Sequence, residues 1–216
     1  SEEPLQENVE LCANMLERMS RVDLSLEIEL GVTGGEEDGV GADLVEGADN
    51  SHLYTQPEDV LYAYDRLSPL GDFSVAASFG NVHGVYKPGN VQLRPEILRN
   101  SQELIERTHG TERNPLDLVF HGGSGSEKAR IREAVGYGVF KMNIDTDTQF
   151  AFASAVGGYV MGNERAFTHQ VDPVDGTPYK KTYDPRKFLR IGEEKMVQRL
   201  QEAFEDLGSV GTSIAG

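Results

Sequence analysis

Two histidines stand where short apolar runs give way to glycine: His83 in AASFGNVHG and His121 in LVFHGGSGS. Neutral imidazole nitrogen is a ligand that Zn²⁺ prefers. Glycine next to it lets main-chain N–H groups turn toward an anion. The pair therefore suits a metal beside a phosphate. Two ligands are too few for a catalytic zinc site, which takes three protein ligands and keeps one position open. The third is expected from a segment outside this chain, with Glu29 as the alternative within it. His52, His109 and His169 lack that setting and read as ordinary half-buried side chains.

Three further groups carry chemistry. Glu36, Glu37 and Asp38 lie between Gly34-Gly35 and Gly39, so the acidic triplet is either solvated surface or a mobile loop whose carboxylate moves protons once water is excluded. HGGSG (121–125) and NIDTDT (143–148) each join a strand signal to a helix start, where amides and the helix dipole favour phosphate. Ser124, Asp145 and Thr146 add hydrogen-bonding side chains there, and helix capping competes for the last two. Lys141 could form a Schiff base with a carbonyl substrate. An ion pair with Asp145 or another inward acid is preferred, because metal ligands are present for the electrophilic work.

The elements that must position these residues alternate. Helical signals cover 3–21, 56–67, 95–108, 126–135 and 146–161, and strand signals cover 24–30, 73–79, 116–120 and 139–144. A long polar loop (162–185) leads to a last helix over 186–207. Strand–helix alternation argues for a parallel sheet with helices outside. Parity then separates a barrel from an open sheet. Ser25, Glu27 and Glu29 share one strand face, and so do Lys141, Asn143 and Asp145, each opposite an apolar face. Open doubly wound sheets are apolar on both faces. Polar groups on one face fit the inside and mouth of a (β/α)8 TIM barrel.

Four strands cannot close such a barrel, which takes about 250 residues. The expectation is that residues 1–216 form a single domain, the last four βα units of a barrel plus a helical tail. The chain does not begin with methionine and opens inside a helix signal, so it reads as a piece of a longer protein.

Composition excludes several classes. Twenty basic against 36 acidic residues give a net charge of −16, which repels nucleic acid and anionic membranes. An anionic substrate must then be held by a metal, backbone amides or a few placed cations. The single cysteine, Cys12, precludes an internal disulfide and fits a cytoplasmic setting. It lies on the helical stripe Leu5, Val9, Cys12, Leu16, Met19 and reads as core packing. Neither a membrane span nor a signal peptide is evident.

The runs LEIELGVTGGEEDGV, LYTQPEDV, ASFGNVHGVYKPGNV, LRPEIL, FHGGSGS, KMNIDTDTQ and YDPR, in this order from Leu26 to Arg186, resemble class II, metal-dependent fructose-bisphosphate aldolase. The resemblance implies reversible cleavage of fructose 1,6-bisphosphate to dihydroxyacetone phosphate and glyceraldehyde 3-phosphate. It implies that His83 and His121 are two of three Zn²⁺ ligands and that Glu29 belongs to a second or alternate metal position. Glu37 matches the mobile-loop glutamate that handles the proton of the dihydroxyacetone phosphate part, and Asn143 a residue contacting the enediolate oxygens. Gly84, Gly122, Ser124, Asp145 and Thr146 match the pocket for one phosphate and a nearby K⁺ or Na⁺. Arg186 matches an arginine supplied across a homodimer to the other phosphate. The family's remaining ligand histidine and its adjacent proton-donating aspartate belong to an earlier strand, so activity is expected of the intact protein and not of these 216 residues alone. Tagatose-bisphosphate aldolase and a non-catalytic half-barrel are the alternative readings.

Overall fold

The computed structural model describes residues 3–31, 34–37, 40–42, 54–83 and 92–213, with the backbone alone for 34–37, 40–42 and 82–83. It resolves into two compact units, Ser1–Ile144 and Asp145–Gly216.

The first unit begins with helix α1 (Leu5–Met19), which a 3-10 turn closes at Ser20–Val22. Strand β1 (Leu26–Leu30), the short strands β2 (Gly34–Glu37) and β3 (Val40–Ala42), helix α2 (Pro57–Leu67) and strand β4 (Phe73–Ala77) follow. Next come β5 (Val82–His83), α3 (Glu96–His109), β6 (Asp117–Phe120), α4 (Lys128–Gly136) and β7 (Val139–Met142). Strands β1, β4, β6 and β7 form one sheet in that order, every neighbouring pair parallel. Each parallel pair is joined through a helix, as parallel pairing demands. The fold is thus α/β with a parallel sheet, as expected.

Burial follows the pleat. Leu26, Ile28 and Leu30 of β1 are buried, whereas Glu27 and Glu29 lie on the opposite face. Val9, Ala13 and Leu16 bury the inner stripe of α1, and Cys12, half-buried beside them, sits as a packing residue. Val60, Ala63 and Leu67 of α2 and Leu98 and Ile105 of α3 complete the apolar layer. Phe79 and Phe120, both fully buried, meet edge to face with ring centroids 4.8 Å apart. Buried Gln102 ties α3 to the sheet's lower edge by donating to the Leu116 and Tyr137 carbonyls and accepting from the Leu116 amide.

One difference from the sequence reading concerns the glycine-rich segment 31–39, expected as a loop. Residues Gly34–Glu37 form β2, antiparallel to β3 and parallel to β5 in a second, three-stranded sheet. Glu37 of β2 pairs with Val40 of β3. A register shift at Gly34/Gly35 fits a bulge, which glycine tolerates. A second difference is that β4 stops at Ala77, so His83 does not end the long apolar strand. Gly80, at φ +98° with the Gln92 carbonyl packed where a side chain would start, turns the chain, and His83 lies in β5.

The second unit holds α5 (Thr146–Gly162), α6 (Glu164–Thr168), α7 (Lys180–Tyr183) and α8 (Pro185–Asp206). The expected long loop is thus interrupted by α6 and α7. Helices α5 and α8 pack closely, with Gly192 of α8 against the Phe152 ring and Arg199 paired to Asp147 at 2.8 Å. Phe167 links Tyr159 to Phe188 through two edge-to-face contacts. Among the described residues no helix is long and apolar enough to cross a membrane.

Candidate active site

Polar side chains converge at the C-terminal ends of the first unit's parallel strands. His121 follows β6 directly and is 19% exposed on its side chain. Its Nε2 donates to Glu27 Oε1 at 2.8 Å, and its Nδ1 lies 4.0 Å from Glu29 Oε1. The second Glu27 oxygen, Oε2, accepts from Lys141 Nζ at 2.7 Å. Lys141 thus meets an inward acid, and that acid is Glu27.

The sheet explains how residues so distant in sequence meet. Glu27 and Glu29 stand in register with Ser74 and Ala76 of β4, both small. Long side chains from β1 can therefore reach over β4 to β6 and β7. Along a flat sheet β1 and β7 are three strand spacings apart, about 14 Å. The Glu27–Lys141 contact bridges that span through two long side chains.

The strand ends are pinned by two buried side chains that the sequence reading did not single out. The Thr55 hydroxyl donates to the Leu30 carbonyl and accepts from the Ser78 amide, joining the ends of β1 and β4. The Asn81 amide donates to the His121 carbonyl at 3.0 Å, and its oxygen accepts from the Phe79 amide. Asn81 thereby ties the segment entering β5 to the residue after β6. It brings the backbone leading to His83 against that of His121; the His83 side chain lies outside the described residues. Thr55 and Asn81 sit inside LYTQPEDV and ASFGNVHG, but a buried hydroxyl or amide leaves no periodic signal.

Backbone register places the strand that carries Glu36 and Glu37 beside β5. Gly35 of β2 pairs with His83 of β5, and Glu37 follows two residues along, about 7 Å of strand. The carboxylates of Glu36 and Glu37 lie outside the described side chains, as does all of Gly84.

The loop after His121 has the expected backbone freedom. Gly122 takes φ +60°, and a side chain on Gly123 would strike Met142. Gly123 N–H donates to the Asn143 carbonyl and Asn143 N–H to the Phe120 carbonyl, so the backbone of Asn143 is held while its side chain is exposed. Ser124 is half-buried in the same loop.

Asp145, Thr146 and Arg186 belong to the second unit. Asp145 stands at the start of α5, yet its side chain makes no capping hydrogen bond. Both its oxygens accept from Gln149 Nε2 one turn on, so the capping alternative is not realised. Thr146 is the first residue of α5. Arg186 is 90% exposed and grips Asp184 with a two-point fork, Nε to Oδ1 at 3.0 Å and Nη2 to Oδ2 at 2.6 Å.

Electrostatics follow the contacts. Burial pushes the Glu27 carboxyl up, but hydrogen bonds and charge from Lys141 and His121 outweigh it and hold it below the usual carboxylate value. The Arg186 fork lowers Asp184 to about 2. Among the described residues no group of three or more His, Cys, Asp and Glu is spaced to enclose a metal. The donors present nevertheless suit one. His121 Nδ1 and Glu29 Oε1 are nitrogen and oxygen donors of the kinds that bind Zn²⁺, and they lie on the same side of the imidazole ring, 4.0 Å apart. A metal-bound histidine also gives its other ring N–H to a carboxylate, the place Glu27 occupies.

Comparison with known proteins adds to this geometry. The family profile described as Fructose-bisphosphate aldolase class-II matches residues 1–212. Fructose-bisphosphate aldolase of Edwardsiella ictaluri (strain 93-146) is 54% identical over 213 residues, covering 97% of this chain and 59% of that protein. Fructose-bisphosphate aldolase class 2 of Escherichia coli (strain K12) is 54% identical over 218 residues, covering 97% and 58% respectively. The crystal structure of fructose-bisphosphate aldolase from Campylobacter jejuni superposes with a TM-score of 0.80 at 52% identity, over 97% of this chain and 59% of that one. The chain therefore spans under two thirds of the length of these relatives. These similarities lend no support to the expectation that it is inactive.

Proposed function

Because the chain belongs to the class-II fructose-bisphosphate aldolase family, we propose that its polar strand ends serve metal-assisted aldol cleavage. The substrate is fructose 1,6-bisphosphate, and the products are dihydroxyacetone phosphate and glyceraldehyde 3-phosphate, reversibly. The observation that carries this reading is the convergence of His121, Glu29 and the Glu27–Lys141 pair. The setting proposed is the mouth of a (β/α)8 barrel in a cytoplasmic homodimer.

In this reading His83 and His121 hold Zn²⁺, and Glu29 serves a second or alternate metal position. When bound, the metal supplies Lewis-acid polarisation of the ketone carbonyl. The chain's own residues do the rest. Asn143 offers its carboxamide N–H to the oxygen where negative charge gathers as the carbon–carbon bond breaks. Glu37 delivers a proton to the resulting carbanion carbon and removes it in the condensation direction. Main-chain amides of the Gly122–Ser124 turn, with Gly84, Asp145 and Thr146, hold one phosphate beside a K⁺ or Na⁺. Arg186 reaches the other phosphate, from the neighbouring subunit. Two phosphates anchored away from the reacting bond orient it, so that binding energy aligns the carbonyl for cleavage. Lys141, engaged by Glu27 at 2.7 Å, is poorly placed to act as a free amine nucleophile.

A coupled assay of fructose 1,6-bisphosphate cleavage tests the reading. Chelation abolishes turnover, Zn²⁺ restores it, and borohydride added with substrate leaves the enzyme active. Borohydride trapping at Lys141, or turnover that survives chelation, overturns it. Running the tagatose epimer in parallel decides which sugar is preferred.

A further inference from the structure

Glu27 touches both His121 and Lys141 and has no role in the cleavage described above. An ionised carboxylate only accepts hydrogen bonds, so the 2.8 Å contact requires a proton on His121 Nε2. In neutral imidazole one nitrogen donates and the other accepts. The lone pair is then on Nδ1, the nitrogen on the Glu29 side, 4.0 Å from Oε1. Lys141 holds the other Glu27 oxygen at 2.7 Å, which stops the carboxylate from rotating off the ring. The His121 carbonyl is fixed by Asn81 at 3.0 Å, so both ring and backbone are held.

We propose that Glu27, steadied by Lys141, is a positioning residue that fixes His121 as the Nε2–H tautomer and leaves Nδ1, on the Glu29 side of the ring, as the atom that takes a divalent cation. The proposal rests on the metal-dependent reading above. It adds the ligating atom of His121 and the residues that select it. It also gives Lys141 a purpose apart from covalent chemistry. Carboxylates in this position on metal-bound histidines typically change metal affinity by about 10–100-fold when removed.

The test is a long-range ¹H–¹⁵N correlation spectrum of the histidine rings of the metal-free chain at about pH 8, above the ordinary imidazole range, followed by Zn²⁺ titration. The His121 signals are identified by their loss in His121→Gln. Wild-type His121 is expected as Nε2–H, with Zn²⁺ moving the Nδ1 resonance. Glu27→Ala gives a tautomer mixture and about 10–100-fold weaker Zn²⁺ binding. Glu27→Gln keeps an acceptor oxygen, so it retains the tautomer and loses less affinity, and it serves if the alanine variant does not fold. A wild-type Nδ1–H tautomer overturns the proposal, as do a tautomer and Zn²⁺ affinity unchanged by both substitutions. If the tautomer responds to Glu27→Ala while Zn²⁺ leaves Nδ1 unmoved, the metal reading fails and the positioning by Glu27 stands.

Discussion

Lys141 and Glu27 are 114 positions apart, yet they form the ion pair that organises the polar face. Strand parity alone places Glu27, Glu29, Lys141 and Asn143 on polar faces. It does not say which acid the lysine meets, because that depends on strand order and on the small residues Ser74 and Ala76 between. Glu37 is a different case: it lies two residues beyond the Gly35–His83 pair because β2, expected as loop, pairs with β5. If Glu37 handles the proton at carbon, Glu37→Ala slows hydrogen exchange between dihydroxyacetone phosphate and solvent by about 10²–10⁴-fold. Bound Zn²⁺, measured by elemental analysis, stays at the wild-type level. Exchange at the normal rate removes Glu37 from the mechanism.

At the scale of elements, Asp184-Pro185 shows how a local signal becomes structure. Proline is favoured in a helix's first turn and aspartate before it. The Asp184 side chain accepts from the Arg186 amide at the start of α8, and the same carboxylate takes the Arg186 fork. The Asp184 carboxyl is lowered from 3.8 to about 2, chiefly by its hydrogen bonds to Arg186. A depressed folded-state value means that its stabilising effect is complete above the unfolded value and fades as pH falls through the folded one. The N-terminal turn of α8 should therefore loosen between about pH 4 and pH 2, read as faster amide exchange at residues 186–188. Asp184→Asn should remove most of that acid dependence, because the amide has no proton to gain in this range. A wild-type profile in the variant rules out Asp184 as its source. The other helix starts show the limits of such signals: Asp145 precedes α5 with suitable chemistry, yet bonds Gln149 instead. The antiparallel pairing of β2 with β3 lies in an acidic, glycine-rich segment with no hydrophobic periodicity to announce a strand.

For the molecule as a whole, the parallel sheet depends on a core in which Phe79 and Phe120 meet just beneath the ends of β4 and β6. Phe79→Ala should destabilise the chain by about 3–5 kcal/mol, measured as a lowered urea midpoint at unchanged slope. Loss under about 1 kcal/mol means that the neighbours collapse into the space. By itself the sequence determined the alternation of strands and helices, the polar face of β1 and β7, the charge of −16, and the motifs that resemble an aldolase. These are local or additive properties, written in periodicity, composition and short runs. Only tertiary structure decided that Glu27 is the acid shared by His121 and Lys141, that Thr55 and Asn81 pin the strand ends, and that β2 runs beside His83. Those facts follow from strand order and side-chain reach, which bring together residues that no spacing along the chain relates.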